Sequence, residues 1–138
     1  MASGGASSPP DASSVQFSAG ELRAVVEEAE AAGTYVCAHA YTARAAARAV
    51  REGARCIEHG TYAHRGEGSE DALGLLTLRG GFLVPTNVAH HATRMAGTGP
   101  GMPSAPGELE EAGAECMRQA HARGVRMAFG TGEPVTEA

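Results

Sequence analysis

The sequence predicts an α/β protein with parallel strands. A helix–glycine–strand unit recurs four times, the strand runs are continuously apolar rather than alternating, and polar or small groups collect at their carboxyl ends. At 138 residues the chain is about one domain's worth, long enough for a modest core.

Residues 1–16, "MASGGASSPPDASSVQ", are Gly, Ser and Pro punctuation without a hydrophobic period, and predict a loop or a disordered leader. Ser18 can cap the first helix, with Glu21 three residues on completing a capping box. Leu22, Val25, Val26 and Ala29 fall at the spacing of one buried face, and Gly33 stops the helix. The β-prone "TYVCAHA" follows. Thr42 then caps "ARAAARAVRE", Gly53 ends it, and "ARCIEHG" is the second strand. Ser69 is the expected cap of "EDALGLLTLR", closed by Gly80 and Gly81, before the strand "FLVPT". A Gly-, Pro- and Met-rich loop over residues 92–107 leads to the helix "ELEEAGAECMRQAHAR", which ends at Gly124, and "VRMAFGTG" is the last strand.

Composition narrows the function. The chain is 43% hydrophobic but only 4% aromatic, and much of its apolar content is alanine, so the expected core is thin. A net charge of −5 with no basic run argues against nucleic acid or an anionic membrane as partner. No apolar stretch approaches the roughly 18 residues of a span and no signal-peptide pattern appears, so a cytoplasmic setting is expected. Cys37, Cys56 and Cys116 are odd in number and lack C-x-x-C spacing, which predicts buried thiols rather than disulfides or a thiolate zinc site. All 11 cationic side chains are arginine, and the chain has no lysine, a bias that suggests GC-rich coding.

Carboxyl ends of parallel strands are where α/β folds place their chemistry. His39, His59, Thr86 with Asn87, and Thr131 stand there. His39 and His59, about twenty residues apart, suit adjacent strands joined by one helix, with both imidazoles in one cleft. Neutral imidazole binds zinc-like ions, but a catalytic site needs about three protein ligands, so the pair by itself also fits ordinary polar residues at strand ends. Alternation sends Glu58 to the face opposite His59, in a structural role. Tyr41 shares the face of His39 and suits a substrate oxyanion or carboxylate, or else packs on a helix. His90 and His91 are expected on a loop after the third strand, solvated or with one of them touching substrate. His64 and His121 read as surface residues. Gly4 and Gly5 are not a phosphate loop, having no G-x-x-x-x-G-K pattern and no lysine.

The segments "MASGG" with "SVQFSAGELRAVVEEA", "YVCAHAYT", "ARCIEHGTY", "GFLVPT" and "GVRMAFGTG" together resemble the amidohydrolase superfamily, in its imidazolonepropionase-like and prolidase-like (Xaa-Pro or Xaa-Arg dipeptidase-type) branch. The resemblance implies a (β/α)8 TIM barrel with a divalent metal centre, often binuclear zinc, at the carboxyl ends of the strands. It implies that residues 17–134 are a partial barrel equivalent to strands five to eight, with 1–16 a leader and 135–138 a tail. His39 and His59 then match the metal ligands of the fifth and sixth strands, while Tyr41 and His91 are the expected substrate-binding residues. Metal-activated water would attack a C–N amide bond in a dipeptide-like or cyclic amide, a small-molecule substrate.

Three departures from the family pattern stand out. No H-x-H pair occurs, no lysine is present to bridge two metals, and "GTG" replaces "GTD", so that Gly132 occupies the usual aspartate position. These predict a truncated, catalytically incomplete chain with open strand edges, which self-associates or is completed by a complementing half-barrel. The alternative expectation is a non-catalytic, self-associating metal-binding α/β module.

Overall fold

The structure, a computed structural model, describes residues 2–3, 14–96 and 106–132. Four strands, β1 (Cys37–Thr42), β2 (Cys56–Tyr62), β3 (Phe82–Val84) and β4 (Arg126–Met127), form one parallel sheet in chain order. The helices are α1 (Ala19–Ala31), α2 (Ala43–Arg51), α3 (Ala72–Arg79), α4 (Asn87–Ala96) and α5 (Pro106–Ala122). Consecutive strands pair because each intervening helix returns the chain along the sheet, the order a barrel segment requires.

The core lies between the sheet and α2, α3 and α5. Ala38, Ala40, Ile57 and Leu83 point from the strands into a cluster with Ala46, Val50, Leu73, Leu76, Cys116 and Ala120. Alanines on α2 leave little between helix and sheet, so packing is close although each residue buries little area. Among the described residues, these helices cover one face of the sheet. The opposite face carries Cys37, exposed, and His39 and Glu58, half-buried. The expectation of strands covered on both faces therefore holds for one face, while on the other, among the described residues, α4 reaches the Tyr41 end through His90.

Local differences follow from specific contacts. The Ser18–Glu21 capping box forms, with the Ser18 amide donating to Glu21 Oε2 at 2.8 Å. Leu22 and Val26 are buried, but Val25 is 53% exposed because α1 packs only at its edge. The cap of α3 is Asp71 rather than Ser69: Asp71 Oδ1 accepts from the Gly74 amide at 3.1 Å, and Gly68–Glu70 forms a 3-10 turn before it. The same carboxylate takes both terminal nitrogens of Arg123, with Nη1 donating to Oδ1 at 2.8 Å, and tethers α3 to the end of α5. His90 and His91, expected on a loop, lie on α4. The Thr86 carbonyl accepts the Ala89 amide at 3.0 Å and starts that helix directly after β3. Residues 97–105 of the expected loop lie outside the described residues. Of "VRMAFGTG", only Arg126–Met127 pairs as a strand.

Ala2 and Ser3 are not a free leader. Both amides donate to the His39 carbonyl, at 2.8 and 3.3 Å, Ser3 Oγ accepts the Tyr41 amide at 3.0 Å, and Ser3 is fully buried. Ser3 also bridges Val15. The edge of β1 is thus partly satisfied by the chain's own first residues. Among the described residues, no helix is long and apolar enough to cross a membrane.

The Arg123 guanidinium holds the Asp71 carboxyl below its usual range, against the opposing effect of burial. The sign follows from linkage: a carboxylate with a depressed folded pKa contributes stability above the unfolded value and loses it as pH falls. Asp71→Ala is expected to destabilise the chain by about 1–2 kcal/mol at neutral pH. That difference should shrink below about pH 4 in urea titrations; a pH-independent difference would rule out the carboxylate as the cause.

Candidate active site

Strand alternation on β1 sends Ala38 and Ala40 into the helix-side core and leaves Cys37, His39 and Tyr41 on the other face. On β2, Ile57 points to the core, and strict alternation would send His59 after it. His59 instead adopts φ +69°, and Gly60 follows at +59°. The pairing with β1 slips between Ala40 and Thr42 at this point. The backbone kink turns the His59 ring onto the inner face, beside His39. The ring centroids are 4.5 Å apart and near perpendicular, at 75°. Tyr41 stacks on His59 at 5.0 Å, within 7° of parallel, and meets His39 edge-on at 5.2 Å.

A left-handed histidine costs about 1–2 kcal/mol and persists only where neighbours fix it. Three contacts do so. Thr86 Oγ1, two residues beyond β3, is 2.7 Å from His59 Nδ1. Cys116 Sγ donates to the Gly60 carbonyl at 3.0 Å from α5. A Cβ on Gly60 would lie 2.5 Å from a Leu83 methyl, so the turn needs glycine for space as well as for its φ. With Nδ1 engaged, Nε2 is the His59 nitrogen open to a ligand, the arrangement by which outer partners orient liganding imidazoles. Burial, then the neighbouring His39 and His90, lowers the His59 pKa to about 4, so the ring is neutral at physiological pH.

His90 is the residue the sequence undervalued. It is 8% exposed, and its ring lies 6.3 Å from that of Tyr41. Asn87 Oδ1 is 3.2 Å from His90 Nδ1, and Asn87 Nδ2 donates to the Glu110 carbonyl at 3.1 Å. Since the Asn87 amide group is spent on Glu110, its oxygen faces His90. The ring therefore donates through Nδ1 and carries its lone pair on Nε2, which is buried with no partner among the described residues. Burial also holds His90 neutral, against Glu110. The adjacency "HH" hid this, since only a helix separates the two rings by a third of a turn. His91 turns outward, half-exposed, with Nδ1 3.0 Å from Glu110 Oε1.

The structure thus groups His39, Tyr41, His59 and His90, and seats His91 against α5. Glu58 accepts from Cys56 Sγ at 3.0 Å, so it shares the inner face with the cluster rather than opposing it, because the kink at His59 breaks the alternation. Gly132 has φ +60°, and a Cβ there would lie 2.7 Å from Thr86 Cβ. An aspartate at 132 would press on the hydroxyl that holds His59. A separate cavity of about 600 Å³, bounded by Tyr62, His64, Glu108 and Arg118, shares none of these residues.

A family model described as the amidohydrolase family matches residues 6–133. Among solved structures, a prolidase complexed with N-methylphosphonate-L-proline is 44% identical with a TM-score of 0.81, covering 95% of this chain and 32% of its own. An amidohydrolase is 40% identical at TM-score 0.80, with 95% and 32% covered. The A. niger ochratoxinase is 27% identical at TM-score 0.78, with 95% and 30% covered. The chain therefore spans about a third of the length of these relatives. No curated protein matches it.

Two outcomes follow. Gly113→Ala, a helical change that ordinarily gains about 1 kcal/mol, should instead destabilise by about 1–3 kcal/mol, because its Cβ would collide with Asn87 Oδ1. A gain in a denaturant melt would show that Asn87 and His90 are not locked. By NMR, His59 should titrate near pH 4. Its depressed pKa makes the unfolded chain the better proton acceptor, so stability should fall as pH drops from about 6.5 towards 4; a midpoint near 6.5 would place the ring in solvent.

Proposed function

Because the chain belongs to the amidohydrolase family, we propose that it carries half of a metal centre for hydrolysis of a C–N amide bond in a small dipeptide-like or cyclic substrate. The juxtaposition of His39 and His59 at 4.5 Å carries the reading. Two adjacent imidazoles, that of His59 neutral and oriented by Thr86, fit a divalent ion of zinc type as neighbouring ligands. When bound, such an ion supplies an acidified water as nucleophile.

The chain's own residues do the rest. Tyr41, buried and with its pKa raised by burial, keeps its phenol proton and can donate to a carboxylate or developing oxyanion. His90 Nε2, a buried acceptor, suits an N–H of the substrate, and His90 rather than His91 is our choice for that contact. The prolidase bound to a phosphonate–proline analogue supports a dipeptide-like substrate. Free Cys37, Cys56 and Cys116 support a reducing, cytoplasmic setting.

The sequence has neither a lysine nor an H-x-H pair, and Gly132 replaces the proton-shuttling aspartate. We infer that the 138-residue chain by itself is catalytically incomplete, with an inner face that another half-barrel or a second copy would cover.

Zinc binding read by equilibrium dialysis should weaken at least about tenfold in His39→Ala and in His59→Ala. Unchanged zinc content in both would overturn the metal reading. Hydrolysis of Xaa-Pro dipeptides by the zinc-loaded chain should fall at least about a hundredfold below a complete family enzyme, the scale of one lost general base. Full-rate turnover would refute the incompleteness.

A further inference from the structure

Beneath the histidine pair, the same inner face carries a second group of ligand-type side chains. Cys37 and Cys56 are register partners at the starts of β1 and β2, and Glu58 lies two residues further along β2. Their Sγ, Sγ and carboxylate oxygen atoms all lie within 4.8 Å of one another. Cys56 Sγ already points at Glu58 Oε1, 3.0 Å away. The spacing in sequence argues against a thiolate site, since no C-x-x-C occurs, but the parallel register delivers what sequence spacing does not.

We propose that Cys37, Cys56 and Glu58 bind a soft or borderline divalent cation of zinc type, in a site distinct from the histidine centre and independent of the hydrolase reading. Tetrahedral zinc with Zn–S near 2.3 Å and Zn–O near 2.1 Å spaces its ligand atoms roughly 3.5–3.8 Å apart. The three donor atoms, all within 4.8 Å of one another, lie close to that spacing. The donor set, two sulfurs and one oxygen, selects zinc, cobalt(II) or cadmium over magnesium or calcium. Binding replaces each S–H bond with an S–metal bond and releases the thiol protons to solvent, leaving a fourth position for water.

Burial, then Glu58 and Cys37, pushes the Cys56 thiol up, so an ion must displace the thiol proton in order to bind. Arg126, on the far side of Phe82, is folded over that ring with its guanidinium 4.2 Å from the centroid. Cys37 is exposed, which gives an ion a path in. The site would tie β1 to β2 where their backbone ladder starts. His39 sits about 6.6 Å further along β1, one side-chain layer away.

Cobalt(II) titration of the reduced chain tests this, because thiolate-to-cobalt charge-transfer absorption arises only from cysteine ligation. The band should appear with the wild-type chain and persist in a His39→Ala/His59→Ala double variant. Cys37→Ser, an exposed change that leaves the core intact, should abolish most of the band, and Cys56→Ser should do the same. Glu58→Gln should keep a band but weaken cobalt affinity at least about tenfold. Far-UV circular dichroism of each variant separates ligand loss from unfolding. No band with the wild-type chain, a full band in Cys37→Ser, or loss of the band in the histidine double variant would each overturn the proposal. Histidine-dependent zinc binding would survive the first two results, so the two readings fail separately.

Discussion

The left-handed turn at His59 is the constraint on which the site depends. Strand alternation would bury this imidazole with Ile57 among alanines, where an uncharged but polar ring would lack partners. The positive φ at His59 and Gly60 reverses that, and places the ring between His39 and Tyr41. The strain of about 1–2 kcal/mol is offset by the Thr86 and Cys116 hydrogen bonds and by ring stacking. Each stabilising group comes from a different part of the chain, so the turn is held by β1, the segment after β3, and α5 together.

The same logic organises the second layer around His90. Asn87 sits at the start of α4, anchored to the Glu110 carbonyl and pressed against Gly113 where α5 passes closest. That anchoring fixes the Asn87 orientation, which fixes the His90 tautomer, which leaves one buried lone pair on Nε2. Gly113 is thus a site residue without touching the site. Burial is the largest cause that keeps both His59 and His90 neutral, and neutral imidazoles are the form that accepts a hydrogen bond or a metal ion.

The helix-side core makes these arrangements possible at small cost in bulk. Alanines on α2 let the helix lie close on β1 and β2, and Ile57, Leu73, Leu76 and Leu83 supply most of the large buried side chains. Because that packing involves one face of the sheet, the other face is left to polar and ligand-type groups. Cys37, His39, Tyr41, Cys56 and Glu58 stand there. Membership of the amidohydrolase family gives such a face its meaning, as the interior wall of a barrel.

The sequence by itself determined the α/β class, the parallel order, the Ser18 and Thr42 caps and the adjacency of the two strands that carry His39 and His59. These were legible because they rest on local signals: periodicity, capping residues, glycine stops and the spacing of strand ends. Only the tertiary structure decided what depends on contacts between distant segments. Asp71 displaced Ser69 as a cap because Arg123, far along the chain, engages the same carboxylate. The helix at His90 and His91 was hidden because a Gly- and Pro-rich segment follows it closely in sequence. Glu58 and His59 share a face, against alternation, because a single backbone dihedral reversed sign. That reversal is stabilised by partners 27 and 56 residues away in sequence, at Thr86 and, through Gly60, at Cys116. A period-2 reading carries no information about them.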